Sequence, residues 1–100
     1  MLKRGKYKEF VEVSSSIFEF FKAFGYEDEY YRGRVRAEWL TIVGQTIASN
    51  VEIISFEGEV LTLKTSNSTW KNEMFFRRTE IMKLINQRYN KQLVSNININ

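Results

Sequence analysis

The densest run of chemically capable side chains is Glu27-Asp28-Glu29, three carboxylates in succession. Paired carboxylates can split their pKa values for acid and base work, or hold a hard cation. Both uses need burial or convergent geometry, which neighbouring positions in one loop do not supply. We therefore read these three as a solvated acidic loop that balances the arginines after it. Ser14-Ser15-Ser16 offers hydroxyls, but the chain has no histidine to activate one and no nucleophile-elbow spacing around them. Cysteine is absent too, which removes disulfides and thiolate metal ligands. Neither Gly-x-x-x-x-Gly-Lys-Ser/Thr nor Gly-x-Gly-x-x-Gly occurs. The expectation is a protein with no catalytic residues, no metal and no cofactor.

Basic residues are better organised than acidic ones. Lys3, Arg4, Lys6 and Lys8 open the chain, and Arg32, Arg34 and Arg36 come after the acidic run. Lys71, Arg77, Arg78, Lys83, Arg88 and Lys91 lie further on, whereas other acids gather at Glu52, Glu57 and Glu59. The net charge is only +3. Segregation of this kind would still focus positive potential on one side and attract phosphates in a salt-dependent way. Lysines and arginines that merely solvate helix surfaces account for the composition equally well. On the first reading Arg32, Arg34, Arg36, Lys71, Arg77 and Arg78 are the candidate contacts to DNA phosphates. Tyr30-Tyr31 beside Arg32 is the candidate stacking platform; the other tyrosines suit the edge of a core.

These groups must be positioned by a short chain of 100 residues, 43% of them apolar. That is enough for one domain with a modest core. Residues 1–8 read as a flexible basic arm and residues 9–100 as the domain. Phe10, Val13, Ile17, Phe20, Phe21 and Phe24 recur at helical spacing and predict a first helix over about Tyr7 to Phe24. Tyr26 to Gly33 fits either a loop or a short helix joined to the next. Val35, Trp39, Ile42 or Val43, and Ile47 share one face of a second helix that ends at Ser49-Asn50. Gly44 inside it points to close approach of another backbone, with a helix terminus as the alternative. Val51 to Phe56 and Glu59 to Thr65 read as strands around a Glu57-Gly58 reversal, with Leu61, Leu63 and Thr65 on one side. Ser66-Asn67-Ser68 offers caps for a third helix running to about Arg88, with Trp70, Met74, Ile81, Leu84 and Ile85 buried. Leu93 to Ile99 alternates with asparagines as an edge or terminal strand. The order is α-α-β-β-α-β, an α+β fold with helices on one face of a three-stranded sheet. Trp39 and Trp70 head two apolar stripes and belong to the core. No apolar run approaches the ~18 residues of a membrane span, and Met1-Leu2-Lys3-Arg4 opens no secretory signal, so a cytoplasmic location is expected.

Trp39-x-x-Ile42-Val43-Gly44-x-x-Ile47-Ala48 is followed by Gly58-x-Val60-Leu61-x-Leu63-x-x-Ser66-x-x-x-Trp70-x-x-Glu73-Met74, then by Ile81-x-x-x-Ile85-Asn86. This succession resembles the DciA family of bacterial replicative-helicase loaders, formerly domain of unknown function 721, in a short single-domain member. The signature region runs from about residue 34 to 99. The resemblance implies a domain similar to a K-homology fold, DNA binding, and a part in bringing the replicative helicase onto DNA. It makes Trp39, Val43, Gly44, Leu61, Trp70 and Met74 structural signature residues. The sequence has no Gly-x-x-Gly segment, so the backbone clamp of ordinary K-homology domains is not expected. Larger members carry a flexible tail associated with helicase contact, whereas this sequence ends at Asn100. The alternative reading is a protein-interaction or dimerisation module that uses Phe75, Phe76 and the edge near Ile97 and Ile99.

Overall fold

Gly58 makes the reversal on which the sheet is built. Strand β1 (Val51–Glu57) pairs antiparallel with β2 (Val60–Thr65), and Glu57 faces Val60 across a two-residue loop. Gly58 takes φ +57°, the positive value that the primed turns of short hairpins need at their first central position. The register slips between Ile53 and Ser55. This bulge lets Val51 and Phe56, five residues apart, both enter the core, although strict alternation would send them to opposite faces.

The computed structural model describes residues 16–100, in two compact units that divide at Tyr30 and Tyr31. In the first unit residues 16–23 are helical and form α1. The expected start at Tyr7, the basic arm, and the stripe positions Phe10 and Val13 lie outside the described residues. Ile17, Phe20 and Phe24, expected on the buried stripe, are exposed. The covered side is shifted: Phe18 and Phe21 approach Tyr30 with ring centroids 5.0 and 6.1 Å away, while Phe20 packs on Phe24 at 4.8 Å.

Helix α2 (Glu27–Ala37) makes the Tyr26–Gly33 segment helical and runs without a break through Val35. Its first turn carries Glu27, Asp28 and Glu29 and its last turn Arg34 and Arg36, the arrangement a helix macrodipole favours. The acidic run is therefore a helix start rather than a loop. The expected second helix is broken twice more, into α3 (Trp39–Val43) and α4 (Gln45–Ala48). Gly44 causes the second break. It sits at φ +86°, ψ 163°, a region essentially restricted to glycine. A Cβ built there would meet nothing within 4 Å, so close backbone approach is not the reason for glycine, and the helix terminus is.

Strand β3 (Asn96–Ile99) lies on β2 in parallel, with Leu61 opposite Ile97 and Leu63 opposite Ile99. Parallel neighbours need a long crossover, supplied by α5 (Ser68–Phe76) and α6 (Arg78–Tyr89). The apolar spacing predicts a single helix here. Arg77 interrupts it at φ −93°, ψ 3°, between the two helices. Leu84, expected in the buried stripe, is exposed, whereas Met74, Ile81 and Ile85 are buried.

The result is a small α+β domain with helices packed against a three-stranded mixed sheet of order β1-β2-β3. Leu61, Leu63 and Ile97 enter the core from the sheet, joined by Val35 and Trp39 from α2 and α3. Trp39 is 7% exposed and its indole N–H donates to the Val51 carbonyl at 2.9 Å. Trp70 is only partly buried against that core. Asn86 fixes the turn into β3. Its Oδ1 accepts from the Leu93 and Val94 N–H groups and its Nδ2 donates to the Val94 carbonyl, all at 2.9 Å. Leu93 and Val94 are thereby held in the core without a strand partner.

Candidate nucleic-acid interface

Asn67 starts α5 by accepting from the Trp70 N–H at 2.9 Å, an N-cap that fixes the helix phase. Lys71 and Phe75 then stand four residues apart on one face, and Arg78 comes next across the α5–α6 joint. The Arg78 guanidinium lies over the Phe75 ring, 4.1 Å from its centroid, close enough for a cation–π contact. These side chains form one wall of a groove of about 520 Å³; Thr62 of β2 and the β3 segment from Ile97 to Asn100 form the other, and Asn72 completes it. Two cationic side chains and no acidic one line it. Amides, a hydroxyl, an aromatic face and two positive charges together suit an anionic, extended ligand.

The structure brings only Lys71 and Arg78 of the six candidate cations to this groove. Arg77, adjacent in sequence, turns away and donates to Glu73 Oε1 at 2.7 Å. Arg34 donates through Nε and Nη2 to Glu38 Oε2 at 3.0 and 2.6 Å. Arg32 donates to the Gly58 carbonyl at 3.0 Å, which ties α2 to the hairpin turn. Arg36 is exposed. Arg34 belongs to a second cluster in which Arg88 Nε and the Tyr89 hydroxyl donate to Glu38 Oε1 at 3.1 and 2.7 Å. Arg88 and Tyr89 end α6 and Arg78 begins it, so roughly 15 Å of helix separates the two groups.

The Glu38 cluster is structural in its electrostatics. Burial by itself would raise the Glu38 pKa, but hydrogen bonds from Tyr89, Arg34 and Arg88 outweigh it and hold the carboxyl below its ordinary value. Burial, followed by the bond to Glu38, pushes the Tyr89 phenol up to about 12, so it stays a donor. The stacking platform expected at Tyr30-Tyr31 is used internally. Tyr30 packs with Phe18 and Phe21, and Tyr31 lies 5.6 Å from the Tyr89 ring with Lys91 Nζ 5.1 Å from its own centroid.

Among the expected signature residues, Leu61 and Met74 are fully buried and Trp39 nearly so, while Val43 and Trp70 pack at the margin of the core. Sequence reasoning missed Asn98 and Asn100 as groove residues, because alternating asparagines at the end of the chain look like solvent-facing filler, and Asn72 because a single amide on α5 carries no local signal. Glu38 and Arg88, fifty positions apart, gave no local signal. No group of three or more His, Cys, Asp or Glu able to hold a metal occurs among the described residues. No described helix is long and apolar enough to cross a membrane.

A cationic groove lies beside the mixed sheet. The family model described as "Dna[CI] antecedent, DciA" matches residues 12–99, and the chain belongs to that family. A search of curated proteins found no match. Family membership makes the domain non-catalytic and is consistent with a role in loading the bacterial replicative helicase when replication starts.

Proposed function

We propose that this domain holds DNA through phosphate contacts centred on Lys71 and Arg78, and so helps deliver the replicative helicase to it. The observation that carries this reading is the groove itself, where two cationic side chains meet no acidic side chain. Arg36 extends the positive field from an exposed position, whereas Arg77 is paired with Glu73. Arg32 and Arg34 contribute charge at a distance, since both guanidiniums already serve the fold. The helicase as second partner rests on the family, as does a K-homology-like classification of the helices and sheet. Phosphate contacts position a protein without reading bases, so little sequence preference is expected.

Charge reversal tests the assignment. Lys71→Glu with Arg78→Glu should weaken binding to unrelated DNA sequences by a similar factor, with an unchanged circular-dichroism spectrum. Arg34→Gln should leave affinity nearly intact while lowering stability. If the folded double variant bound as tightly as the parent, the groove would not be the DNA site. Loss confined to one base sequence would mean that the surface reads bases.

A further inference from the structure

Strand β3 ends the sheet, and among the described residues no strand pairs with its outer edge. Asn96 donates to the Glu59 carbonyl and Asn100 to that of Leu63, so the even-numbered residues face β2. In a parallel ladder the alternate residues then turn outward, which leaves the N–H and C=O groups of Ile97 and Ile99 on the open side. Such an edge is a template for another strand. Here it is not blunted by proline, lysine or a covering strand among the described residues. Lys71, Phe75 and Arg78 overlook it from α5 and α6.

We propose that this edge accepts an extended acidic segment of a partner polypeptide, which competes with DNA for Lys71 and Arg78. The competition rests on the reading given under Proposed function; the strand addition does not. Spacing and charge define the segment. Lys71 and Arg78 flank Phe75 in sequence, four residues before it and three after it across the α5–α6 joint, and residues four apart on an added strand would stand roughly 13 Å apart, a gap that two long side chains span. An added strand would therefore present acidic, any, apolar, any, acidic residues. Its two carboxylates meet Lys71 and Arg78, and its central apolar side chain meets the Phe75 ring, which is 53% exposed. The backbone pairs with Ile97 and Ile99. No aspartate or glutamate side chain lines the groove to oppose it.

The test uses the full chain and a fluorescein-labelled peptide, Ser-Glu-Thr-Val-Thr-Glu-Ser, in anisotropy titrations, with a lysine-for-glutamate peptide as control. The acidic peptide should bind, the lysine peptide should not, and unlabelled acidic peptide should displace a labelled oligonucleotide. Ile99→Pro removes an outward N–H without touching the β2 ladder. It should weaken peptide binding about tenfold through the lost hydrogen bond. In the wild-type protein, NMR should show the Ile97 and Ile99 amides shifted and protected from exchange by the peptide. Unperturbed Ile97 and Ile99 amides, or equal binding of the acidic and lysine peptides, would overturn strand addition whatever the state of the proline variant. Peptide binding that leaves the oligonucleotide in place would overturn the competition. Peptide binding in a protein with no DNA affinity would overturn the DNA reading alone.

Discussion

Gly44 and Asn86 show how single residues fix this chain. Open space surrounds Gly44, yet its φ of +86° with ψ 163° excludes other side chains. Gly44→Ala should therefore cost about 1–3 kcal/mol through backbone strain alone, read as a lower urea midpoint with an unchanged slope. A larger residue should cost little more, because nothing is there to clash with; a steep dependence on side-chain size would contradict this. Asn86 satisfies three backbone groups that β3 itself cannot. Asn86→Leu keeps similar volume and strands the Val94 N–H and C=O, while the Leu93 N–H keeps its bond to the Lys91 carbonyl; this should destabilise by roughly 2–4 kcal/mol given about 1–3 kcal/mol for each unpaired buried group. Loss should appear as fast hydrogen exchange around Leu93 and Val94. Gly44 was visible in the sequence as an exception inside an apolar pattern, but composition does not distinguish a glycine needed for space from one needed for φ. Asn86 gave no sign, since its partners are main-chain groups with no side-chain signature.

At the scale of elements, the apolar periodicities located the three strands among the described residues, with β3 starting at Asn96 rather than Leu93, and the helical crossover between β2 and β3, but left residues 26–33, most of α2, open between loop and helix. They did not reveal the breaks at Glu38, Gly44 and Arg77. A buried stripe survives a short interruption, so Met74 and Ile81 read as one helix although Arg77 divides them. The β1 bulge was hidden for a similar reason: Ile53, Ile54 and Phe56 are all apolar, and only pairing shows where the register slips. The helix ends are joined by Glu38, which draws Arg34, Arg88 and Tyr89 together. Because its folded pKa is depressed, this cluster stabilises the protein above the unfolded carboxylate value, ordinarily 4.5, and the contribution is lost as pH falls through the folded value. The stability difference between wild type and Glu38→Gln should be constant near neutrality and shrink in acid below that value. A difference independent of pH would mean that packing, not charge, is what the substitution removes. The Tyr89 phenol acts at the other extreme, as its raised pKa makes stability fall on passing from pH 10 toward about 12.

For the whole molecule, the charge pattern could not say which guanidiniums were committed to the fold. Arg32, Arg34 and Arg77 find acceptors in Gly58, Glu38 and Glu73, and only contacts formed by folding disclose that. Lys71 and Arg78, brought together with Phe75 across a helix joint, carry the functional claim. The most direct measurement is the salt dependence of DNA binding for wild type and for Lys71→Ala with Arg78→Ala, both checked for native stability. Neutralising two phosphate contacts should lower the slope of log affinity against log salt by about two units, or somewhat less on single strands. A folded double variant with the parent's affinity and slope would place DNA elsewhere on the protein and contradict the account.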